Sequence, residues 1–305
     1  MPYVRCNLCG ADDYDVLYES LRVVRCRLCG LVYVTPQPES ETYGEEYFTR
    51  PREKGGRTFI ENREGLERFF DGRLAAIERY RTPGRLLEVG CALGYLLNAA
   101  RKRGWDATGV EISEFAAKYA RARFGHRVLC GRLEDLPLDE ASFDVVVLRD
   151  VVEHAPDPKA LLKCCHRVLV PDGLLALSTP NFDSLYARIA REAWVHLKPG
   201  EHLFLFGPGT LSAMVGACGF RVVDLDSRYL SHSVRGAYEA AKSAGERARV
   251  AWNAVLDGDV VFLPVGSLPR KGLRAAAIVL SLAARPFLRK DRNEILELIA
   301  RKHGR

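Results

Sequence analysis

Short apolar runs alternate with stretches of helical periodicity along most of the chain. Helical spacing of apolar residues occurs near 94–103, 113–124 and 157–169, and a further helix is predicted near Thr210. Strand–helix alternation of this kind predicts an α/β fold with a doubly wound, mostly parallel sheet of seven strands. The runs with the length of buried strands are Leu86–Val89, Ala107–Val110, Val128–Cys130, Val145–Leu148, Leu174–Leu177, Phe220–Leu225 and Ile295–Ile299.

A linker and one amphipathic helix precede this alternation, over residues 36–84. Apolar residues recur at helical spacing from Ile60 to Tyr80, and Pro83-Gly84 ends the predicted helix. The polar linker before it contains Tyr43 and Tyr47. These two tyrosines either fold over a bound ligand as a lid or simply pack within the linker.

The first 35 residues contain two Cys-x-x-Cys pairs, each followed by glycine, and short predicted strands around them. Such a turn directs two thiolates at one ion, and the spacing between the two pairs fits a four-cysteine zinc site. Two disulfides or four free thiols are the alternatives. With four protein ligands the site is closed, so residues 1–35 are predicted to form a zinc ribbon with a structural ion. The predicted ligands are Cys6, Cys9, Cys26 and Cys29.

Five further cysteines are scattered through the rest of the chain. Free cysteine commonly behaves as a small buried hydrophobe. We therefore expect all five to be buried, and the adjacent pair on the predicted helix 157–169 to belong to the core. They are Cys91, Cys130, Cys164, Cys165 and Cys218.

Composition and charge narrow the class of protein. The 305 residues are 48% hydrophobic and 28% charged, as is typical of a globular protein. The N-terminal sequence lacks the apolar segment of a secretory signal, and no apolar run is long enough to span a bilayer, so a cytoplasmic location is expected. Residues 231–305 carry 14 basic and 7 acidic side chains, whereas residues 1–84 have a net charge of −1. A nucleic-acid partner is therefore disfavoured.

The basic excess coincides with a predicted helical insertion over residues 228–292. Apolar residues share one helical face in its first half, and the stretch 273–290 is apolar with basic ends. The insertion is interpreted as a cap over a substrate pocket. The alternative is peripheral contact with an anionic membrane surface through 273–290. Residues 293–305 hold the last strand and a tail.

A glycine-rich segment lies at the turn between the first predicted strand and its helix. Its sequence is Glu88-Val89-Gly90-Cys91-Ala92-Leu93-Gly94, and such a loop lets a ligand approach the backbone. The second strand ends at Glu111, where a carboxylate can accept both hydroxyls of a ribose. A dinucleotide would use the same features, so they do not identify the ligand alone. Three later segments accompany them in order: Gly131–Pro137, Phe143–His154 and Arg167–Gly173.

With these motifs in this order, the sequence resembles the class I S-adenosylmethionine-dependent methyltransferases over residues 85–227. The resemblance implies a Rossmann-like fold and S-adenosylmethionine as cofactor. It implies that the loop binds the methionyl and ribose side, with Ala92 replacing the more common middle glycine, and that Glu111 holds the ribose. It also implies that Leu133 and Glu134 lie near the adenine. The implied cofactor-binding residues are Glu88, Gly90, Ala92, Gly94, Glu111, Leu133, Glu134 and Arg149, and the linker residues Tyr43 and Tyr47 are added to them as the candidate lid.

The zinc module, the tyrosine-containing linker and the segment Pro199–Leu203 together resemble the branch that includes bacterial sugar C-methyltransferases. This narrower resemblance implies a small acceptor, such as a sugar, a glycan or a lipid-linked molecule, that is methylated on carbon or oxygen.

Two histidines are candidates for the general base that methyl transfer can require. His154 follows the carboxyl end of the fourth strand, where ligands bind in parallel sheets, and His202 lies in the segment after the fifth. Glu201 could orient His202 or bind acceptor hydroxyls. Either histidine could instead be a hydrogen-bonded structural residue. Asn181 and Trp194 are weaker candidates for the acceptor pocket.

Three hypotheses for function follow. The first is a methyltransferase acting on a small acceptor. The second is an RNA methyltransferase that binds RNA through its zinc ribbon. The net negative charge of the N-terminal region disfavours this hypothesis. The third is a cofactor-binding scaffold without catalysis.

Overall fold

The computed structural model describes residues 3–38, 43–50, 58–61, 63–228 and 294–303. They divide into two compact units. The first unit holds the described residues within Met1–Pro38, Thr179–Leu211 and Leu225–Glu297. The second holds those within Glu39–Ser178, Ser212–Asp224 and Leu298–Arg305. The predicted insertion 228–292, apart from its first residue, and its apolar stretch 273–290 lie outside the described residues.

Eleven strands and seven α-helices make up the described chain, with short 3₁₀ helices at Glu19–Leu21, Leu133–Asp135 and Arg191–Ala193. The strands are β1 (Tyr14–Tyr18), β2 (Val23–Cys26), β3 (Val32–Val34), β4 (Arg85–Val89), β5 (Asp106–Glu111), β6 (Arg127–Cys130), β7 (Phe143–Arg149), β8 (Leu169–Pro180), β9 (Phe204–Leu205), β10 (Phe220–Arg228) and β11 (Ile295–Lys302). The helices are α1 (Glu45–Thr49), α2 (Arg63–Glu78), α3 (Tyr95–Lys102), α4 (Glu114–Phe124), α5 (Pro158–Val168), α6 (Leu185–Ala190) and α7 (Pro208–Ala217). In this described part, none of the helices combines the length and apolarity needed to cross a membrane.

A seven-stranded sheet forms the centre of the second unit. Its strand order is β10-β11-β8-β7-β4-β5-β6. The pairs β4–β5, β4–β7, β5–β6 and β7–β8 are parallel. This confirms the predicted fold class, and each of the seven predicted strands lies within an observed one.

The helices of this sheet begin and end where the local sequence favours it. Ser113 caps α4 by accepting from the backbone N–H of Ala116, and Asp157 caps α5 in the same way at Ala160. Gly125 ends α4 in the left-handed conformation. The strands are apolar on both faces because helices pack on both sides of a parallel sheet.

The first unit contains a four-stranded sheet in the order β1-β2-β3-β9. Its last strand, β9, pairs antiparallel with β3, so that Val32 faces Leu205 and Tyr33 faces Phe204. The predicted ribbon therefore incorporates a strand that comes about 170 positions later in the chain. The core of this unit includes Val23, Val34, Tyr186, Trp194 and Leu205. Trp194, with 1% of its surface exposed, is a core residue of the first unit.

The expectation that the five non-paired cysteines are buried is wrong in part. Cys91, Cys165 and Cys218 are buried, but Cys164 is half-buried and Cys130 is exposed. Cys130 is the last residue of β6, which lies at the edge of the sheet and pairs with β5 as its one neighbour among the described strands.

Candidate functional site

The glycine-rich loop leaves β4 and enters α3 through three left-handed residues. Gly90 has a φ of +72°, Ala92 of +47° and Gly94, the N-cap of α3, of +79°. The backbone N–H groups of Gly90 and Cys91 both donate to the carbonyl of Val110 in the neighbouring strand. Ala92 is an L residue in a conformation that favours glycine, so the loop is held in this shape by its surroundings.

Glu111, the last residue of β5, is one of the residues that hold the loop in this shape. One carboxylate oxygen accepts the backbone N–H of Ala92 at 2.7 Å, and the other accepts that of Ser113 at 2.8 Å. Burial raises the pKa of Glu111, although the backbone N–H groups around it oppose the shift. Each oxygen has a second lone pair, so the carboxylate can support the loop and still accept a ligand hydroxyl.

Glu88 lies on the adjacent strand β4 and is 4% exposed. Burial raises its pKa well above the usual range, and the positive charge of Arg149 acts against that shift. One of its carboxylate oxygens is buried without a hydrogen-bond partner among the described residues. An orphaned buried acceptor of this kind is costly, which indicates that a ligand with a donor group belongs there.

The other predicted cofactor residues also lie in the second unit. Leu133 is buried and Glu134 exposed at the start of the 3₁₀ helix that follows β6. Arg149 ends β7, and its guanidinium lies over the Phe69 ring at 5.2 Å from the ring centroid. Ile112, directly after Glu111, is 50% exposed. Sequence reasoning missed Ile112. Only the structure shows that this large apolar side chain, which directly follows the carboxyl end of β5, is exposed.

The tyrosines of the linker contact the loop region. Tyr43 and Tyr47 stack edge-to-face at 5.0 Å and belong to an apolar cluster that includes Ala92 and Leu93. The Tyr43 hydroxyl lies 3.2 Å from Nδ1 of His154. The structure thus brings these tyrosines, the loop and His154 together within one unit.

His202 and Glu201 lie in the first unit. His202 is buried, and its Nδ1 is 2.7 Å from the backbone oxygen of His196, an acceptor, so Nδ1 carries the proton. The rings of His196 and His202 stack, and His196 Nε2 lies 3.4 Å from a carboxylate oxygen of Glu294. Glu201 accepts from Lys198 at 3.2 Å. His196 and Glu294 were missed by sequence reasoning, because nearly 100 positions separate them.

The four N-terminal cysteines converge in the same unit. Their sulfur atoms lie within 4.8 Å of one another, with Cys6–Cys29 at 3.4 Å and Cys9–Cys26 at 3.5 Å. None of the four forms a disulfide. Although burial disfavours a charged sulfur, backbone N–H groups of the Cys26–Cys29 turn lower the pKa of Cys26 to about 7. The cluster has the donor set and spacing of a four-cysteine metal centre.

Comparison with known proteins identifies the family to which the region with the glycine-rich loop belongs. A family model described as a methyltransferase domain matches residues 59–225, which is more than half of the chain. The chain belongs to this methyltransferase family. The predicted fold class and the predicted class of S-adenosylmethionine-dependent methyltransferases are thereby confirmed.

Named relatives match about half of the methyltransferase. A ubiquinone biosynthesis O-methyltransferase from Idiomarina loihiensis is 34% identical over 154 residues, covering 47% of this chain and 63% of the relative. Its counterpart from Pseudomonas aeruginosa is 31% identical over 159 residues, covering 46% and 66%. The methyltransferase thus spans just under two thirds of these relatives' length.

Among solved structures, an S-adenosylmethionine-dependent methyltransferase from Archaeoglobus fulgidus matches with a TM-score of 0.52. The match covers 80% of this chain and 98% of that one at 20% identity. At this identity the likeness concerns the fold alone.

The loop geometry leads to a first prediction, for Gly90→Ala. A Cβ at Gly90 would lie 2.6 Å from Cγ2 of Val151, in addition to the left-handed backbone. We expect the substitution to lower the free energy of unfolding by about 2 to 4 kcal/mol, combining backbone strain with overpacking. Urea denaturation would measure the change.

Gly125→Ala is the matched control for that prediction. Gly125 has a φ of +64°, but a Cβ there would meet nothing within 4 Å, so only the backbone cost of about 1 kcal/mol applies. Adding Val151→Ala to Gly90→Ala should recover the steric part of the loss. Equal losses at Gly90 and Gly125 would contradict the role assigned to Val151.

Proposed function

We propose that this methyltransferase transfers the methyl group of S-adenosylmethionine to an oxygen or carbon of a small acceptor, a sugar, a glycan or a lipid-linked molecule. One observation carries the proposal. Two buried carboxylates, Glu88 in the second-last position of β4 and Glu111 in the last position of β5, lie on adjacent parallel strands beside a left-handed loop. One of them holds the loop, and the other keeps an unpartnered oxygen.

These residues fit the cofactor by their chemistry. The ammonium of its methionyl part is a donor for the unpartnered oxygen of Glu88, and its ribose hydroxyls are donors for Glu111. We assign Leu133, Glu134 and Ile112 to the adenine, and the loop residues Gly90, Ala92 and Gly94 to the methionyl and ribose side. When bound, the cofactor supplies an activated methyl group.

Three further residues complete the proposed cofactor site. Arg149 lies close enough to moderate the charge of Glu88. Tyr43 and Tyr47 pack against the loop cluster, which supports their role as a lid that excludes water.

Two kinds of observation support the proposed chemical class of the methyl acceptor. The relatives' name, ubiquinone biosynthesis O-methyltransferase, supports a small molecule methylated on oxygen. The Glu201-His202 motif and the cysteine-rich N-terminus support a sugar-like acceptor, methylated on carbon or oxygen.

His202 is proposed as the general base. Because its Nδ1–H is committed to the carbonyl of His196, the neutral ring carries its lone pair on Nε2, the arrangement in which a histidine accepts a proton. Glu201 is assigned to acceptor hydroxyls, since a different group, the His196 carbonyl, orients the ring. His154 is the alternative base, with Tyr43 as the group that orients it.

The cysteine cluster is proposed to hold a structural zinc ion. Sulfur separations of 3.4 and 3.5 Å are close to the edge, about 3.8 Å, of a tetrahedron with zinc–sulfur bonds of about 2.3 Å. They exceed the disulfide bond length of about 2.05 Å. Zinc would supply folding free energy and no catalytic step, because four cysteines close the site.

Glu111→Ala tests the cofactor site and is our second prediction. Loss of two charge-assisted hydrogen bonds should weaken S-adenosylmethionine binding about 10- to 100-fold in calorimetric titration. Glu114→Ala is the matched control, because Glu114 is exposed three positions away and pairs with Lys118 at the surface. Its affinity should equal that of the wild type.

The same protein then serves to find the acceptor. Release of S-adenosylhomocysteine should be assayed with phenols, sugars and lipid-linked sugars. Unchanged binding by Glu111→Ala would overturn the proposed cofactor site. Salt-sensitive RNA binding would favour an RNA methyltransferase, and tight cofactor binding without turnover of any acceptor would favour a scaffold.

A further inference from the structure

A groove of about 580 Å³ lies within the first unit, between the cysteine-rich sheet and helix α6. Three arginines line it: Arg25 from β2, Arg188 from α6 and Arg191 from the 3₁₀ helix that follows. Its lining contains one carboxylate, Asp183, so the lining has a net charge of +2. The groove is thus a concave surface with a positive charge, lined in part by the cysteine-containing sheet.

The local sequence explains how the arginines meet. Arg25 is exposed between the buried Val24 and Cys26, as the two-residue period of a strand requires. Arg188 lies in the last turn of α6 and Arg191 directly follows that helix, and both side chains line the groove. The groove therefore brings together a positive side chain from β2 and two from α6 and the 3₁₀ helix that follows it, which are distant from β2 in the sequence.

These guanidinium groups have no acidic partner in the part of the chain that the structure describes. None of the three lies within 4 Å of a carboxylate oxygen there. Arg27 of the same module, by contrast, pairs with both Asp13 and Asp15. Three positive charges gathered with a single carboxylate in the lining repel one another, and a bound anion would relieve that repulsion.

Aromatic side chains lie beside two of the arginines. The Arg25 guanidinium lies over the Phe182 ring, 5.9 Å from its centroid. Burial raises the pKa of the Tyr18 hydroxyl, and the nearby positive charge of Arg191 opposes that rise. Guanidinium groups restricted by such neighbours lose less conformational entropy when they bind a ligand.

Arg191 also has a strained backbone. Its φ of +48° and ψ of −121° are strongly disfavoured for a residue with a side chain, and glycine would adopt them without strain. Such strain is typical of functional positions. It indicates that the Arg191 side chain contributes something that compensates for its cost.

We propose that this groove binds the phosphoryl group of a small molecule, as a phosphate monoester or a diphosphate. The planar guanidinium matches phosphate oxygens in pairs, and a phosphate presents three terminal oxygens to three arginines, whereas a carboxylate presents two. The volume suits a compact ligand. The net charge of −1 over residues 1–84 argues against a polynucleotide. The inference is independent of the methyl acceptor.

The test is calorimetric titration of the full chain, as purified, with inorganic pyrophosphate. Binding is expected, and it should weaken as sodium chloride is added because the arginines are exposed. Glucose 1-phosphate and phosphatidic acid vesicles distinguish a soluble ligand from a lipid headgroup, and binding of either supports the phosphoryl site. Acetate should not compete. Competition by acetate as strong as that by phosphate would overturn the assignment to a phosphoryl group.

Arg191→Gly provides the decisive variant. It should bind pyrophosphate about tenfold more weakly, while its melting temperature stays the same or rises because the backbone strain is relieved. Arg22→Gly is the matched control, since Arg22 has a φ of +57° in the same unit but does not line the groove. It should bind as the wild type does.

Three outcomes would overturn the inference. They are wild-type affinity in Arg191→Gly, an equal loss in Arg22→Gly, or RNA binding through Arg191 that is tighter than pyrophosphate binding. Titration of the same samples with S-adenosylmethionine reports on the proposed function separately, so either proposal can fail alone.

Discussion

Cys9→Ser is expected to abolish zinc binding and to unfold the first unit. Structural zinc sites contribute about 10 to 16 kcal/mol of binding free energy, against a total stability of about 5 to 15 kcal/mol for a domain. The thiolates of Cys6, Cys26 and Cys29 alone leave the tetrahedron incomplete. The loss should reach β9 and α6, because both pack on the sheet that the cysteines anchor.

Trp194 is the natural reporter of this loss, since it is buried in the core of the first unit. With Trp105 and Trp252 replaced by phenylalanine, its fluorescence follows that unit alone. The otherwise unaltered protein should contain about one zinc ion per chain and unfold cooperatively. Cys9→Ser should contain none, and its Trp194 emission should already be that of a solvated indole at room temperature.

Cys130→Ser is the matched control, because Cys130 is as exposed as Cys9 but lies outside the four-sulfur cluster. An exposed cysteine without a ligand role can be replaced at a cost of about 0.5 kcal/mol or less. Identical melting of the two variants, with no zinc in either or in the parent protein, would show that the cluster is four free thiols.

His202→Gln should lower kcat by about 100- to 10,000-fold with any acceptor whose reaction needs proton removal. Glutamine keeps a polar group of similar size but cannot take a proton. The binding of S-adenosylmethionine should be unchanged, because the residues proposed to bind it lie elsewhere in the sequence. The measurement is the rate of S-adenosylhomocysteine release, taken across a range of pH.

The pH profile separates a base from a structural histidine. In the wild type the rate should rise from acidic to neutral pH, and His202→Gln should lose that rise. His303→Gln, at the exposed end of β11, is the control and should retain it. Loss of the rise in His154→Gln, with its retention in His202→Gln, would assign the base to His154 instead.

The sheet was predictable from sequence because each of its strands is a local signal. Runs such as Val145–Leu148 are apolar and bounded by polar segments, and the helices between them begin at recognisable caps such as Asp157. Parallel sheets buried on both faces make this pattern strong. The glycine-rich loop and Glu111 could be found in the same way, from spacing within one strand–helix–strand unit.

The other features of the fold and of the candidate site depend on contacts between residues that are distant in the sequence or on the conformation of loops. β9 is two residues long, and it is a strand only because β3 lies beside it. The hydrogen bond from Ala92 to Glu111 and the exposure of Cys130 follow from loop conformation and strand order, which no local pattern encodes. The arginine groove likewise joins Arg25 to a helix more than 160 positions away.

The pairing of β3 with β9 also has a consequence for biosynthesis. A ribosome adding about 5 to 20 residues per second needs roughly 10 to 30 seconds to progress from Val34 to Leu205. During that time all four cysteines have emerged and can capture a metal, while one edge of β3 has no partner strand. An unpaired edge invites association between nascent chains. A metal bound by the four cysteines would then hold the incomplete sheet in register until its last strand is made.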